Sequence, residues 1–162
     1  MKLIPTTSQT VGPFFSIGLA PLCQNPATPK SAEAIRIHGK LFDGNCSPIP
    51  DAVLEFWRTG EFARVSTSDD GAYSVIVNPM SGQSDKSTAK HFEVLIFMRG
   101  LLKPVYTRVY FAGAEELKSD LALKGVPAER IATLAARPTK LANEYEWNIF
   151  MQGECETVFL EY

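Results

Sequence analysis

The sequence predicts an all-β protein: a β-sandwich with short helices in its connections and an extended N-terminal arm. From Ala34 onward, apolar residues recur at every second position in a series of segments, as they do in strands with one buried face. The segments patterned in this way are short, and Gly, Pro, Asn and Asp separate them with turn chemistry. A chain of 162 residues is long enough for one domain with a proper core. The arm spans residues 1–33 and belongs to the same domain as the sandwich, residues 34–162.

In the arm, Pro5, Pro13, Pro21, Pro26 and Pro29 interrupt any periodic pattern, which predicts extended chain. Ile35, Ile37 and Leu41 then alternate with Arg36, His38 and Lys40 in a first strand, and AVLEFWR forms the second. Between them FDGNCSPIPDA supplies a turn or bulged connection. Further strands are expected at FARVST, at AYSVIV after an Asp-Asp-Gly turn, and at HFEVLIFM, VYTRVYF, YEWNIFM and ETVFL. Two segments break the β pattern as short helices: AEELKSDLAL, a solvated acidic surface, and PAERIATLAAR, with Pro127 placed for a first helical turn. The polar segment PMSGQSDKSTAK reads as a mobile loop.

Composition excludes several function classes. With 16 Lys+Arg against 18 Asp+Glu, no basic stripe is available for nucleic acid or an anionic membrane. The start MKLIPTTSQT lacks an apolar h-region, and no window has the 18 or so continuous apolar residues of a membrane span, so a cytoplasmic protein is expected. Cys23, Cys46 and Cys155 form no C-x-x-C pair and read as reduced and structural.

The stretch KHFEVLIFMRG, residues 90–100, holds the chemistry. In a strand, His91 and Glu93 share a face, but two donors do not make a transition-metal site, and His38 is the one other histidine. Metal ligands in this chain: none are expected. Arg99 ends the apolar strand before Gly100, where a guanidinium can offer a planar fork to a carboxylate. Its ordinary reading is a solvated or salt-bridged strand end. Trp57, Trp147, Phe56 and Phe97 read as core or subunit interface, while Tyr106, Arg108 and Tyr110 share one strand face.

Four stretches taken together are more specific. They are SQTVGPFF at residues 8–15, the block LFDG through PDAVLEFW at 41–57, the strand 91–100, and QGECETVF at 152–159. The chain resembles the intradiol ring-cleavage dioxygenases over nearly its whole length, and within them the α subunit of the two-subunit members. That resemblance implies a sandwich fold and a partner β subunit in an (αβ)n hetero-oligomer. The β subunit would hold Fe(III) with two tyrosines and two histidines, the latter in an H-x-H strand. Here the matching strand reads His91-Phe92-Glu93. Phe62 and the VNPM stretch, residues 77–80, stand where the tyrosines would fall. The resemblance therefore implies a chain that is not catalytic alone and completes its partner's substrate pocket.

The implied reaction opens 3,4-dihydroxybenzoate with O2, giving 3-carboxy-cis,cis-muconate. The substrate-binding residues carried over by position are Arg99, Thr10, Gly12 and Pro13. From the residues themselves, Gly12-Pro13 is either a rigid, close-approaching backbone beside a substrate or a chain-entry turn, and Thr10 is a candidate hydrogen-bond donor. A different class of function is a non-catalytic transthyretin-like or carboxypeptidase-regulatory-like binding module, which shares the G..P...A block and the DDGAYS turn. The arm and the terminal QGECETVF favour the dioxygenase subunit.

Overall fold

The computed structural model describes residues 3–23, 34–78, 89–111, 117 and 120–161. Two sheets face each other. In the four-stranded sheet, β2 (Val53–Arg58) lies between β3 (Glu61–Ser66) and β5 (His91–Phe97), and β6 (Val105–Tyr110) closes the far side of β5. All its pairings are antiparallel. In the other sheet, β1 (Ile35–Phe42) pairs antiparallel with β4 (Ala72–Val77) and parallel with β8 (Glu144–Glu146) and β9 (Ile149–Phe150). The short β7 (Arg137–Pro138) lies outside β8.

The six long strands fall where period-two alternation expects them. Their inward residues, Ile37, Leu41 and Val75 from one sheet and Leu54, Phe56, Phe92, Val94 and Ile96 from the other, are fully buried in one cluster. Phe56 meets Tyr73 across the sheets with ring centroids 6.2 Å apart. Removing this apolar surface from water is the main favourable term holding the sheets together.

The end of the chain departs from expectation. YEWNIFM is divided into β8 and β9, because the two residues between them bond to β1 in an irregular way. The Trp147 N–H donates to the His38 carbonyl at 2.8 Å, but the Lys40 N–H donates to the Asn148 side chain, Oδ1, at 2.9 Å. Opposite this point stands Gly39, where any Cβ would overlap the Trp147 carbonyl. A glycine inside a strand marks such a close backbone approach. The same carbonyl accepts the buried Tyr73 hydroxyl at 2.6 Å, and burial pushes the Tyr73 pKa well above its usual value.

ETVFL is not a strand despite its β-forming residues. Hydroxyls take the place of ladder partners: Phe150 N–H donates to Thr157 Oγ1 at 3.0 Å, Val158 N–H to Thr133 Oγ1 at 3.1 Å, and Thr107 Oγ1 to the Val158 carbonyl at 2.7 Å. Only Leu160 makes a bridge, to Tyr106.

The arm is not wholly extended. Phe14–Leu19 form helix α1, followed by a 3-10 turn at Ala20–Leu22. Here proline starts helical structure: Pro13 has φ −63° before α1, and Pro21 lies in the first turn of the 3-10 segment. The expected second helix is present as α2 (Ala128–Ile131), preceded by Pro127 and continued by a 3-10 turn at Ala132–Leu134. Half of AEELKSDLAL lies outside the described residues, as does nearly all of PMSGQSDKSTAK. Within the former, Leu117 is buried and Leu121–Leu123 form a 3-10 turn.

Replacing Gly39 with alanine should force β1 and the Trp147 backbone apart. A loss of about 3 kcal/mol is expected, read as a lower urea midpoint with an unchanged slope. An unchanged midpoint would mean that the backbone approach is not constraining.

Candidate functional site

The strand end after β5 brings together residues from three distant parts of the chain. Arg99 lies just beyond the strand, and its Nη2 donates to Asp51 Oδ2 at 3.1 Å. The ion pair expected of an ordinary strand-end arginine is therefore present. The next N–H, of Gly100, donates to Thr10 Oγ1 at 2.9 Å. Gly100 has φ +92°, a conformation that glycine adopts without a Cβ penalty. Thr10 acts here as an acceptor, where the sequence suggested a donor. Its hydroxyl proton has only a long contact, 3.4 Å, to the Val11 carbonyl.

A second contact holds the arm beside the same strand. Phe15 packs on Phe97 with centroids 5.4 Å apart, and its N–H donates to the Gly12 carbonyl at 3.0 Å. Gly12-Pro13 thus opens α1 close to the strand end. Gly12 is not among the left-handed glycines, and a Cβ placed on it would meet nothing within 4 Å. Among the described residues, neither its conformation nor its packing calls for glycine. Phe14 and Ile17 of α1 face solvent, 80% and 63% exposed.

His91 and Glu93 share the outer face of the four-stranded sheet, as strand geometry requires, and both line a cleft of about 340 Å³ with Trp57, Arg58 and Thr59. They do not act together. The buried His91 places Nδ1 2.7 Å from the Ala89 carbonyl, which makes Nδ1 the protonated nitrogen. Burial holds its pKa below the usual 6.5. Glu93 Oε1 lies 3.6 Å from Arg108 Nη2. Arg108 Nε in turn donates to the Tyr106 hydroxyl at 2.9 Å. Burial alone would lower the Arg108 pKa, but its phenol partners more than offset this and keep it charged.

This donor set does not fit an iron ion. Among the described residues no three Cys, Asp, Glu or His side chains come together as a group that could hold a metal. Glu93, the acidic candidate on this face, already lies beside the Arg108 guanidinium. Phe62 stands against Trp57 with centroids 4.4 Å apart and carries no phenol oxygen, while Pro79 and Met80 lie outside the described residues.

Two further pairs were not singled out in the sequence. Asp51, read there as turn chemistry, is the partner of Arg99. Glu55, buried within β2, accepts Arg64 Nε at 2.9 Å and Nη2 at 2.6 Å on one oxygen and Trp57 Nε1 at 3.0 Å on the other. The E-x-W spacing could have revealed the second contact, because residues two apart on a strand share a face. Cross-strand partners such as Arg64 carry no such local signal.

Several solved structures have the same architecture. A dioxygenase domain from a dioxygenase and carbohydrate-binding protein fusion of Streptomyces sp. SirexAA-E aligns over 93% of this chain and 99% of its own, with TM-score 0.59 and 16% identity. The 3-chlorocatechol 1,2-dioxygenase of Rhodococcus opacus 1CP aligns over 93% of this chain and 69% of its own, with TM-score 0.54 and 14% identity. At such identities these matches define the fold class, the intradiol-dioxygenase β-sandwich. The protocatechuate 3,4-dioxygenase alpha chain of Burkholderia cepacia is 35% identical over 191 aligned positions, covering 96% of each chain. That of Pseudomonas putida is 28% identical over 199 positions, covering 100% of this chain and 99% of its own. The chain belongs to the protocatechuate 3,4-dioxygenase alpha-chain family, which sets aside a binding module of another class. No family model matches the sequence. Among the described residues no helix is long and apolar enough to cross a membrane.

Two outcomes are expected. Thr10→Val removes the acceptor of the Gly100 N–H, so opening of the arm should rise about fivefold for a loss near 1 kcal/mol. Limited thermolysin digestion within residues 3–23 measures it, and equal cleavage rates would show that the bond does not hold the arm. For His91, the folded protein disfavours the imidazolium, so the unfolded chain binds the proton more readily. Stability is fully present above pH 6.5 and falls as pH drops from 6.5 through the folded value. His91→Asn should flatten that window in urea titrations at stepped pH. An unaltered pH profile would assign the effect to other groups.

Proposed function

We propose that this chain is the non-iron subunit of a heteromeric intradiol dioxygenase, working in the cytoplasm, which opens 3,4-dihydroxybenzoate with O2 to 3-carboxy-cis,cis-muconate. The observation that carries the reading is the match to curated alpha chains of protocatechuate 3,4-dioxygenase along almost the whole of both sequences. Fe(III) belongs to a β subunit, in an (αβ)n assembly, and supplies the ring-opening chemistry there. This chain contributes the wall of the pocket, with the arm, residues 1–33, and the sandwich, residues 34–162, acting as one domain.

Within that reading, Arg99 faces the anionic substrate. Its guanidinium is half exposed, and only one of its five N–H donors is directed to Asp51. A planar fork of this kind suits a carboxylate. Gly12 and Pro13 bring backbone close to the substrate ring. The open space at Gly12 is compatible with this, since it leaves room for another molecule to approach the backbone there. Thr10 holds the arm against the strand end that carries Arg99. The apolar surface of α1, with Phe14 and Ile17 outward, supports a partner chain covering it.

The test is to express the chain alone and together with a candidate β chain, then measure bound iron and oxygen uptake with 3,4-dihydroxybenzoate. Alone it should bind no stoichiometric iron and show no turnover, and the complex should do both. One iron per isolated chain would overturn the proposal. In the complex, Arg99→Ala should raise KM about tenfold, the scale of one charge-assisted hydrogen bond, and leave iron content intact. Unchanged kinetics would remove Arg99 from the substrate site.

A further inference from the structure

We infer that Asp51 is a positioning residue, which aims the Arg99 guanidinium at the anionic group of the substrate. The inference rests on the proposed role of Arg99 and adds a residue to it. Arg99 lies two residues beyond Phe97, the last residue of β5, outside the strand pairing, and its side chain is 54% exposed. A long, exposed cation samples many rotamers, so a fixed partner on one edge reduces the ordering required when a ligand arrives at the other.

Asp51 is built to be that partner. It sits in the β1–β2 connection with φ +61°, in the left-handed region that Gly, Asn and Asp tolerate best. The residue after it is locked: Ala52 is fully buried, its N–H donates to Thr67 Oγ1 at 3.0 Å, and its carbonyl accepts the Thr67 N–H at 2.9 Å. The carboxylate is therefore held on rigid backbone, with Oδ2 3.1 Å from Arg99 Nη2. Turn geometry alone would be met at least as well by glycine. The negative charge is what this position adds, and Arg99 is the cation it reaches. With one nitrogen occupied by Asp51, the remaining donors of the fork are left for a carboxylate-bearing aromatic ligand.

The test uses the assembled complex with a β chain. Asp51→Gly keeps the left-handed turn and removes the carboxylate, while Asp51→Asn keeps an acceptor in the same conformation. Asp51→Gly should raise KM for 3,4-dihydroxybenzoate about threefold to fivefold, in keeping with an exposed ion pair, with kcat and iron content unchanged. Asp51→Asn should recover most of that loss, and Asp51→Gly in an Arg99→Ala background should add nothing. If Asp51→Gly is silent while Arg99→Ala is impaired, the inference is overturned and the role of Arg99 stands. An equal loss from Asp51→Gly with and without Arg99 would make Asp51 a turn former only, which also overturns it. A silent Arg99→Ala removes the underlying reading itself.

Discussion

The pleat of β2 and β5 is the constraint on which the rest of this structure depends. Each strand turns its alternate residues into the sandwich, and those inward positions are fully buried apolar side chains. The outer face of the same sheet must then carry what the core cannot accept: Glu55, Trp57, His91, Glu93, Arg64 and Arg108. Partly covered polar groups are costly unless they satisfy one another. Glu55 binds Arg64 and Trp57, and Glu93 lies by Arg108, which in turn holds Tyr106. His91 turns to a backbone carbonyl. Among the described residues no three His, Cys, Asp or Glu side chains gather in an arrangement that could hold a metal. Removing one partner of a buried charge pair such as Glu55 and Arg64 typically costs about 3–5 kcal/mol, so the network also preserves itself against simple substitution.

Where β5 ends, the constraint is released. Gly100 turns the chain with a positive φ, and the strand end becomes a meeting point for the arm through Thr10 and for the β1–β2 connection through Asp51. These segments are separated by 90 and 48 positions in the chain, respectively, from their partners at the strand end. Phe15 on Phe97 adds an apolar contact at the same place. Fixing the arm to the rigid sheet end also fixes the exposed backbone of Gly12 and Pro13 on the side of the sandwich that carries Arg99.

Much of the fold was legible because burial writes itself into period two. The six long strands and the helix after Pro127 follow from alternation and from proline's fixed φ. The same reasoning misread the arm, since proline interrupts a pattern in one context and starts a helix in another, as Pro13 does here. It also misread ETVFL, whose residues favour a strand but whose contacts run largely through threonine hydroxyls: Thr157 accepts the Phe150 N–H, Thr133 accepts the Val158 N–H, and Thr107 donates to the Val158 carbonyl. Gly39 and Asn148 explain the division of β8 from β9, and neither has meaning until β1 and the Trp147 backbone are side by side.

By itself, the sequence determined the alternation of its strands, the scarcity of metal donors, the motif resemblance and the candidate residues Thr10, Gly12, Pro13 and Arg99. These depend on residue type and on short spacings, which strand and turn geometry convert directly into faces and bends. Only the tertiary structure decided that Thr10 accepts from Gly100, that Arg99 is held by Asp51, and that Glu93 is engaged by Arg108. Those contacts join segments far apart in the chain. Which cation faces which carboxylate is settled by sheet register and chain path, and no local pattern in the sequence encodes either.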